Sequence, residues 1–193
     1  MPDITTHSLR LGTHTVQGSP VNASFCSAVT SNDPTPHQIH LTGQPTYQRF
    51  RPLFGAKLSS ARTQIHTMLN QGIIRRSNSP YASPIVMVLK KDKSYRICGD
   101  YRLLNQHTIP DKYPLPRIHD VIHSLHGASH FSLLDIEKAY HHIPMHPNDV
   151  CRTAINTPLG LFEYIKMPFG LKNAASSFQQ YMDGLFHIEG VFV

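Results

Sequence analysis

Asp135 and Tyr140 are the residues of this chain best suited by type and spacing to do chemistry. They lie in Phe131-Ser-Leu-Leu-Asp135-Ile-Glu-Lys-Ala-Tyr140, where an apolar strand pattern ends in a carboxylate and an aromatic ring follows five residues later. A carboxylate held at a strand end suits a hard cation such as Mg²⁺, which takes oxygen ligands and keeps waters and substrate phosphates in its shell. Read alone, Asp135 also fits as a plain strand end or as the cap of the following turn. Tyr140, beside Ala139, also fits as a core aromatic with a tethered hydroxyl.

Other reactive groups are less organised. His119, His123, His126 and His130 are spaced four, three and four apart, which on a helix is ligand-like spacing for zinc. No His-Glu-x-x-His pattern accompanies them, and Ile118, Val121, Ile122 and Leu125 define the expected buried face, which turns the histidines to solvent. Cys26, Cys98 and Cys151 are odd in number and far apart, with no Cys-x-x-Cys pair, so they read as isolated thiols. The formal charge of +6 and a pI of 9.3 point to a polyanionic partner. The longest apolar runs, Pro84 to Leu89 and Val191-Phe-Val193, fall far short of the roughly 20 residues a membrane span needs. The start, Met-Pro-Asp-Ile-Thr-Thr-His, lacks the basic and apolar blocks of a secretory signal, so an intracellular location, cytoplasmic or nuclear and not secreted, is expected.

The elements that must position these groups are legible in outline. Residues 1–36 are polar and rich in Ser, Thr, Asn and Pro, which reads as a linker or disordered tail. From His37 to Phe54 the chain is expected to run extended across a folded body. A helix is predicted from Ala56 to Gln71, with Leu58, Ala61, Ile65, Met68 and Leu69 on one face and Gly72 as its cap. Ile85 to Lys90 and Ser94 to Cys98, joined by Lys91-Asp-Lys93, read as a hairpin with a charged tip. A second helix is signalled by Pro114 or Pro116 near its start and by Gly127 just past its end. Thr153 to Asn156 and Phe162 to Ile165 read as a second hairpin, followed by a helix whose buried stripe is Ala174, Phe178, Met182 and Leu185. Hairpins with intervening helices and no βαβ alternation point to an α+β architecture.

Five blocks carry a resemblance: Gly72 to Pro84, Arg96-Ile-Cys-Gly-Asp-Tyr-Arg-Leu-Leu-Asn105, Asp111-Lys-Tyr-Pro-Leu-Pro-Arg117, Phe131 to Tyr140, and Met167-Pro-Phe-Gly-Leu-Lys-Asn-Ala-Ala175. In this order and spacing they resemble the reverse transcriptase domain of Ty3/Gypsy-type long-terminal-repeat retrotransposons, from about His37 onward. The resemblance implies a right-hand polymerase fold, with residues 37–110 mainly fingers and 111–193 the start of an incomplete palm. It implies RNA-directed DNA synthesis by two-metal nucleotidyl transfer, with an RNA or DNA template and primer, deoxynucleoside triphosphates and the remainder of the Pol polyprotein as partners, and no membrane.

Residue roles follow from the same resemblance. Asp135 matches the first catalytic aspartate and, with the Ile136 carbonyl, would bind two Mg²⁺ ions, Mn²⁺ being an alternative. Tyr140 matches the aromatic gate that excludes a ribose 2′-hydroxyl. Lys90 and Arg96 would grip the triphosphate, Arg through its bidentate fork and Lys as a mobile point charge. Lys91 and Lys93 read equally as solvated hairpin-tip charge. Phe169 would wall the nucleotide pocket, and Gly170 would let the chain approach the substrate closely; the other reading is a plain turn with Phe169 in the core. Arg102 would contact the template backbone, with Asp100 orienting it.

The family's second carboxylates come in a Tyr-x-Asp-Asp turn, and no Asp-Asp pair occurs in the 193 residues. Asp183 and Glu189 are not expected to replace them. The expectation is therefore a partial reverse transcriptase domain, inactive by itself; the alternative is a non-catalytic nucleic-acid-binding remnant that uses the basic hairpin.

Overall fold

The computed structural model of the chain describes residues 34–127 and 136–185. Helix α1 (Gly55–Asn70) forms where the apolar period places it, with Ala61 and Ile65 buried and Leu58, Met68 and Leu69 half-buried. It ends because Gly72 adopts φ +64°, a left-handed conformation that glycine takes without steric cost. The N–H groups of Gln71 and Gly72 then bond back to the Thr67 and Leu69 carbonyls at 3.0 and 3.1 Å.

Strands β1 (Ile74–Arg76), β2 (Ser83–Leu89), β3 (Tyr95–Gly99), β4 (Ile155–Thr157) and β5 (Gly160–Tyr164) make one sheet in the order β1-β5-β4-β2-β3. Both expected hairpins are present, with Ile85 opposite Gly99 and Leu89 opposite Tyr95 in the first, and Ile155 opposite Phe162 in the second. Two features were not anticipated. β1 pairs antiparallel with β5, and β2 pairs in parallel with β4 through Ser83 with Ile155 and Pro84 with Asn156. Parallel partners are joined by a long crossover, so no tight turn announces them. As a result residue 110 does not divide the sheet, because β4 and β5 lie between β1 and β2. The free edge of β3 is met by the Gln64 amide of α1, which accepts from the Ile97 N–H at 3.0 Å and donates to the Tyr95 carbonyl at 2.8 Å. That contact satisfies backbone groups an edge strand otherwise leaves open.

The core gathers around Tyr101, buried at the start of α2 (Arg102–His107), a helix that the sequence pattern did not signal. Its hydroxyl donates to the Thr153 carbonyl at 2.8 Å. Its ring lies so close to Gly99 that a Cβ there would sit 2.5 Å from a ring carbon. In α4 (Ala174–Leu185) the expected stripe holds, with Ala174 and Met182 buried and Phe178 and Leu185 half-buried. Helix α3 (Ile118–Ser124) departs from expectation. It starts after Arg117, it is short, and Ile118 and Ile122 are 77% and 61% exposed while Val121 and Leu125 are half-buried, so among the described residues the face expected to be buried is only partly covered. His119, His123 and His126 are exposed as expected; His130 lies outside the described residues.

Residues 37–54 form the expected extended strap. It is tied down through His37 N–H to the Pro144 carbonyl (2.8 Å), Thr42 N–H to the His107 carbonyl (2.9 Å) and Gln48 N–H to the Ala82 carbonyl (2.8 Å). Two buried polar side chains anchor its start. Asp149 accepts from the Ile39 N–H at 3.0 Å and pairs with Arg152 at 2.7 Å. His37 shares a 2.7 Å hydrogen bond with Ser177, and burial pushes its pKa down to about 4 against the opposing pull of Asp149.

Two predictions follow from this packing. Gly99→Ala drives a methyl group into the Tyr101 ring and should cost about 1–3 kcal/mol, whereas Gly184→Ala, with open space around it, should be neutral or slightly stabilising. Urea midpoints of the two variants compare them directly, and equal midpoints would contradict the packing. For His37, the unfolded chain takes up a proton near pH 6.5 and the folded one only near 4. Between those values the unfolded state binds more protons, so stability is full above about pH 6.5 and falls as the pH drops towards 4, by on the order of 3 kcal/mol from this group. His37→Gln should flatten that part of the stability profile.

Candidate nucleotide and template site

The β2–β3 hairpin presents its cations at one end of the sheet. Its tip closes through Lys93, a non-glycine residue at φ +63°, and through Asp92, whose carboxylate accepts from the Ser94 N–H (2.9 Å) and hydroxyl (2.7 Å). Arg96 pairs across the hairpin with Val88. Lys90 lies beyond that pair, its N–H bonded to the Ser94 carbonyl at 2.8 Å and its side chain exposed.

Arg96 meets the second cluster directly. Its guanidinium lies 5.8 Å from the centre of the Phe169 ring, and Phe169 packs against Tyr140 with ring centres 4.7 Å apart. Phe178 of α4 closes the far side of Tyr140, edge-on at 5.4 Å. Behind them, His141 stands edge-on to Phe169 at 6.0 Å and parallel to Tyr164 at 6.4 Å. Burial lowers the His141 pKa and keeps the ring neutral, consistent with a buried Nδ1 that has no hydrogen-bond partner. Three predicted site residues remote along the chain therefore form one line of contacts, Arg96 to Phe169 to Tyr140.

The turn carrying Phe169 is held from below. Gly170 sits at φ +93°, and a Cβ there would meet the Gly99 carbonyl at 3.5 Å and the Tyr101 ring at 3.6 Å. The Asn105 amide of α2 brackets this turn, donating to the Gly170 carbonyl at 2.8 Å and accepting from the Lys172 N–H at 2.9 Å. Gly170 therefore packs closely on the protein's own β3 and Tyr101. Asn173 adds a further tie, donating to the Ile109 carbonyl and accepting from the Asp111 N–H.

The Asp100 and Arg102 pair is present as expected. Arg102 donates to the carboxylate through Nε at 2.8 Å and Nη2 at 2.7 Å, a bidentate fork. Sequence reasoning missed the third member. Arg51, from the strap, donates Nη2 to the same carboxylate at 2.6 Å. Its segment has no periodicity, and its partner lies 49 residues away, so no local signal marks it. Hydrogen bonds from Arg102, joined by that from Arg51, hold the Asp100 carboxyl down at about 2 against the effect of burial.

Asp135 lies outside the described residues. Ile136 is described and half-buried, and it offers one carbonyl oxygen. Among the described residues no group of three or more His, Cys, Asp or Glu side chains could hold a metal, which includes the three described histidines of the zinc-like spacing. Cys98 and Cys151 are free thiols, and Cys26 is outside the described set. Asp183 accepts from the Tyr113 hydroxyl at 2.6 Å and the Gln179 amide at 2.8 Å; Glu189 is outside the described residues.

A family model described as reverse transcriptase (RNA-dependent DNA polymerase) matches residues 88–188, more than half of the chain. The chain belongs to the reverse transcriptase family. This reverse transcriptase segment is 39% identical over 155 residues to the retrovirus-related Pol polyprotein from transposon 297 of Drosophila melanogaster, covering 77% of this chain and 15% of the relative. It is 34% identical over 167 residues to the Pol polyprotein from transposon gypsy of the same fly, covering 80% of this chain and 16% of the relative. The domain is therefore that of a Gypsy-type long-terminal-repeat retrotransposon, and the chain spans about a sixth of the length of these curated relatives. The fold is shared with a structure of the foamy viral protease–reverse transcriptase in complex with double-stranded DNA, at TM-score 0.68 and 23% identity over 82% of this chain and 28% of that one. Among the described residues, no helix of the reverse transcriptase segment is long and apolar enough to cross a membrane.

The Asp100 cluster supplies a test of its electrostatics. Because its folded pKa of about 2 lies below the ordinary 3.8, its contribution is complete above about pH 3.8 and is lost as the pH falls towards 2. Asp100→Asn should lower stability at pH 7 by about 1–3 kcal/mol and remove that acid-limb dependence. Denaturant titration at pH 7 and at pH 3 reads both, and a variant as stable as the parent at pH 7 would refute the assignment.

Proposed function

We propose that this chain forms the fingers and the start of the palm of an RNA-directed DNA polymerase, which extends a primer on an RNA or DNA template with deoxynucleoside triphosphates. The observation that carries this reading is the contact of Arg96, Phe169 and Tyr140: a phosphate-binding cation, an apolar wall and an aromatic gate brought together from three separate segments. In this reading Arg96 and Lys90 take the triphosphate, Tyr140 lies under the sugar and rejects a 2′-hydroxyl, and Phe169 with Gly170 shapes the wall beside it. Asp100 holds Arg102 by its Nε–Nη2 edge, and the remaining guanidinium donors would meet a template phosphate.

Asp135 is the catalytic carboxylate in this proposal, and with the Ile136 carbonyl it would hold Mg²⁺, or Mn²⁺ in its place. When bound, two such ions stabilise the attacking primer oxygen and the leaving pyrophosphate together. Residues 37–110 serve mainly as fingers and 111–193 as the start of the palm, with β4 and β5 returning to the finger sheet. The remainder of the Pol polyprotein is the covalent partner, and the location is intracellular.

A chimera in which residues 37–193 replace the matching segment of the transposon 297 polyprotein tests this function. It should incorporate deoxynucleotides on a primed template in the presence of Mg²⁺, and Asp135→Asn should abolish that activity. Tyr140→Val should raise ribonucleotide incorporation relative to deoxynucleotide by tenfold or more. The 193-residue chain itself should leave the primer unextended. Activity that survives Asp135→Asn, or discrimination unchanged in Tyr140→Val, would overturn the assignment.

A further inference from the structure

The candidate nucleotide site has two sides, the strand that carries Arg96 and the turn that carries Tyr140, and one helix touches both. Gln64 of α1 clasps β3 around Arg96: it donates to the Tyr95 carbonyl at 2.8 Å and accepts from the Ile97 N–H at 3.0 Å, the two residues that flank the arginine. A glutamine amide carries one acceptor and one donor group, which match that pair of backbone groups. Gln71, which closes the same helix, accepts from the Lys138 ammonium at 3.3 Å. Lys138 stands two residues before Tyr140. Seven residues make close to two helical turns, so Gln64 and Gln71 stem from one face of the helix about 10 Å apart.

The turn at the far end is held in an uncommon shape. Lys138 adopts φ +52° and ψ +39°, the left-handed region that costs a residue with a side chain. Its carbonyl accepts from the His141 N–H at 2.8 Å and so starts the 3₁₀ turn Ala139–His142, while the His142 Nε2 donates to the Glu137 carbonyl at 3.1 Å. The direction in which Tyr140 projects therefore depends on Lys138. Such a conformation persists where the surroundings over-determine it, and it concentrates at functional sites. The Lys138 side chain is tied to a residue 67 positions away along the chain. The helix it reaches is itself fixed, with Ala61 and Ile65 buried and Met68 and Leu69 packed on the core.

We propose that α1 is a brace that sets the spacing between the two sides of the nucleotide site, with Gln64, Gln71 and Lys138 as positioning residues that touch no substrate. Gln64 places Arg96 against the triphosphate, and Gln71, acting through Lys138, places Tyr140 against the sugar. This rests on the roles proposed above for Arg96 and Tyr140. The two ends act on different properties: losing the Gln64 end weakens nucleotide binding, and losing the Gln71 end loosens selection of the sugar. A single exposed hydrogen bond adds only modestly to stability, so loss of the Gln71 contact shows in selectivity before it shows in folding.

Steady-state kinetics in the chimera that carries residues 37–193 test the brace, with thermal unfolding of each variant as a monitor of the fold. Gln64→Ala should raise the KM for deoxynucleoside triphosphate about fivefold with kcat within about twofold of the parent, and Gln64→Glu, which keeps the acceptor for Ile97, should recover part of that loss. Gln71→Ala should lower the preference for deoxynucleotide over ribonucleotide about fivefold with the unfolding midpoint unchanged. Gln71→Glu turns the contact with Lys138 into an ion pair and should keep that preference. Lys138→Gly should lower it as Gln71→Ala does without lowering the midpoint, because glycine takes the left-handed conformation freely. On the 193-residue chain with no nucleotide present, amide hydrogen exchange should quicken at Ile97 in Gln64→Ala and at His141 in Gln71→Ala; exchange unchanged at both would overturn the brace. A KM raised by Lys138→Gly but not by Gln71→Ala would make Lys138 a direct phosphate ligand and overturn it too. Variants that lose only stability, with KM and sugar preference unchanged, would overturn the brace and leave the roles of Arg96 and Tyr140 intact. A parent chimera that extends no primer would overturn those roles and the brace together.

Discussion

The hydroxyl of Tyr101, donated to the Thr153 carbonyl inside the core, is the contact on which the remaining geometry depends. A phenol so deeply buried needs a partner, and burial holds its pKa well above the ordinary value, so it stays a neutral donor. The bond joins the end of β3 and the start of α2 to the residues that lead into β4. Thr153 extends the link, since its own hydroxyl donates to the Val150 carbonyl at 2.6 Å and accepts from the Tyr164 N–H at 2.8 Å. With Tyr101 pinned inward, Asp100 and Arg102 on either side of it have a fixed backbone from which to reach one another. The ring also forms the floor under Gly170, so the same side chain sets the height of the turn that carries Phe169.

The way acids are used explains why a chain with few of them presents so positive a surface. Asp100, Asp149 and Glu163 are all buried, and each is paired with arginine: Arg51 and Arg102, Arg152, and Arg75. Their charges are spent in holding segments together, the strap to α2, the strap to the turn before β4, and β1 to β5. An isolated surface pair adds little, but a buried carboxylate that lost its guanidinium would be costly, so these pairs act mainly to fix geometry. The lysines of the hairpin tip, and Lys57 and Arg62 of α1, keep their fields facing outward.

Much of this was legible from sequence, and what was not has a common cause. α1, α4 and both hairpins carried their own periodicity and turn residues, and the structure has them nearly where the pattern puts them. The pairing of Asp100 with Arg102 and the proximity of Tyr140 and Phe169 came from blocks whose order resembles one family. α2 was missed because six residues are too few to show a helical period, and it is Tyr101 and the Asn105 contacts that hold it. Arg51 and the β1–β5 and β2–β4 pairings were missed because each depends on residues remote along the chain. α3 misled for the opposite reason: its apolar spacing is sound, yet Ile118 and Ile122 of the face it defines are exposed among the described residues.

The parallel pairing of β2 with β4 also constrains the order in which the molecule can assemble. Ser83 and Ile155 are roughly 70 residues apart, and closing a loop of that length costs about 4 kcal/mol of chain entropy before any contact repays it. The β2–β3 hairpin is local and can form early, but the β4-facing edge of β2 then stays unpaired until the second hairpin has been synthesised and folded. During translation the first hairpin therefore waits with an exposed edge, and completion of the sheet is a late, non-local event that the β4–β5 hairpin must supply.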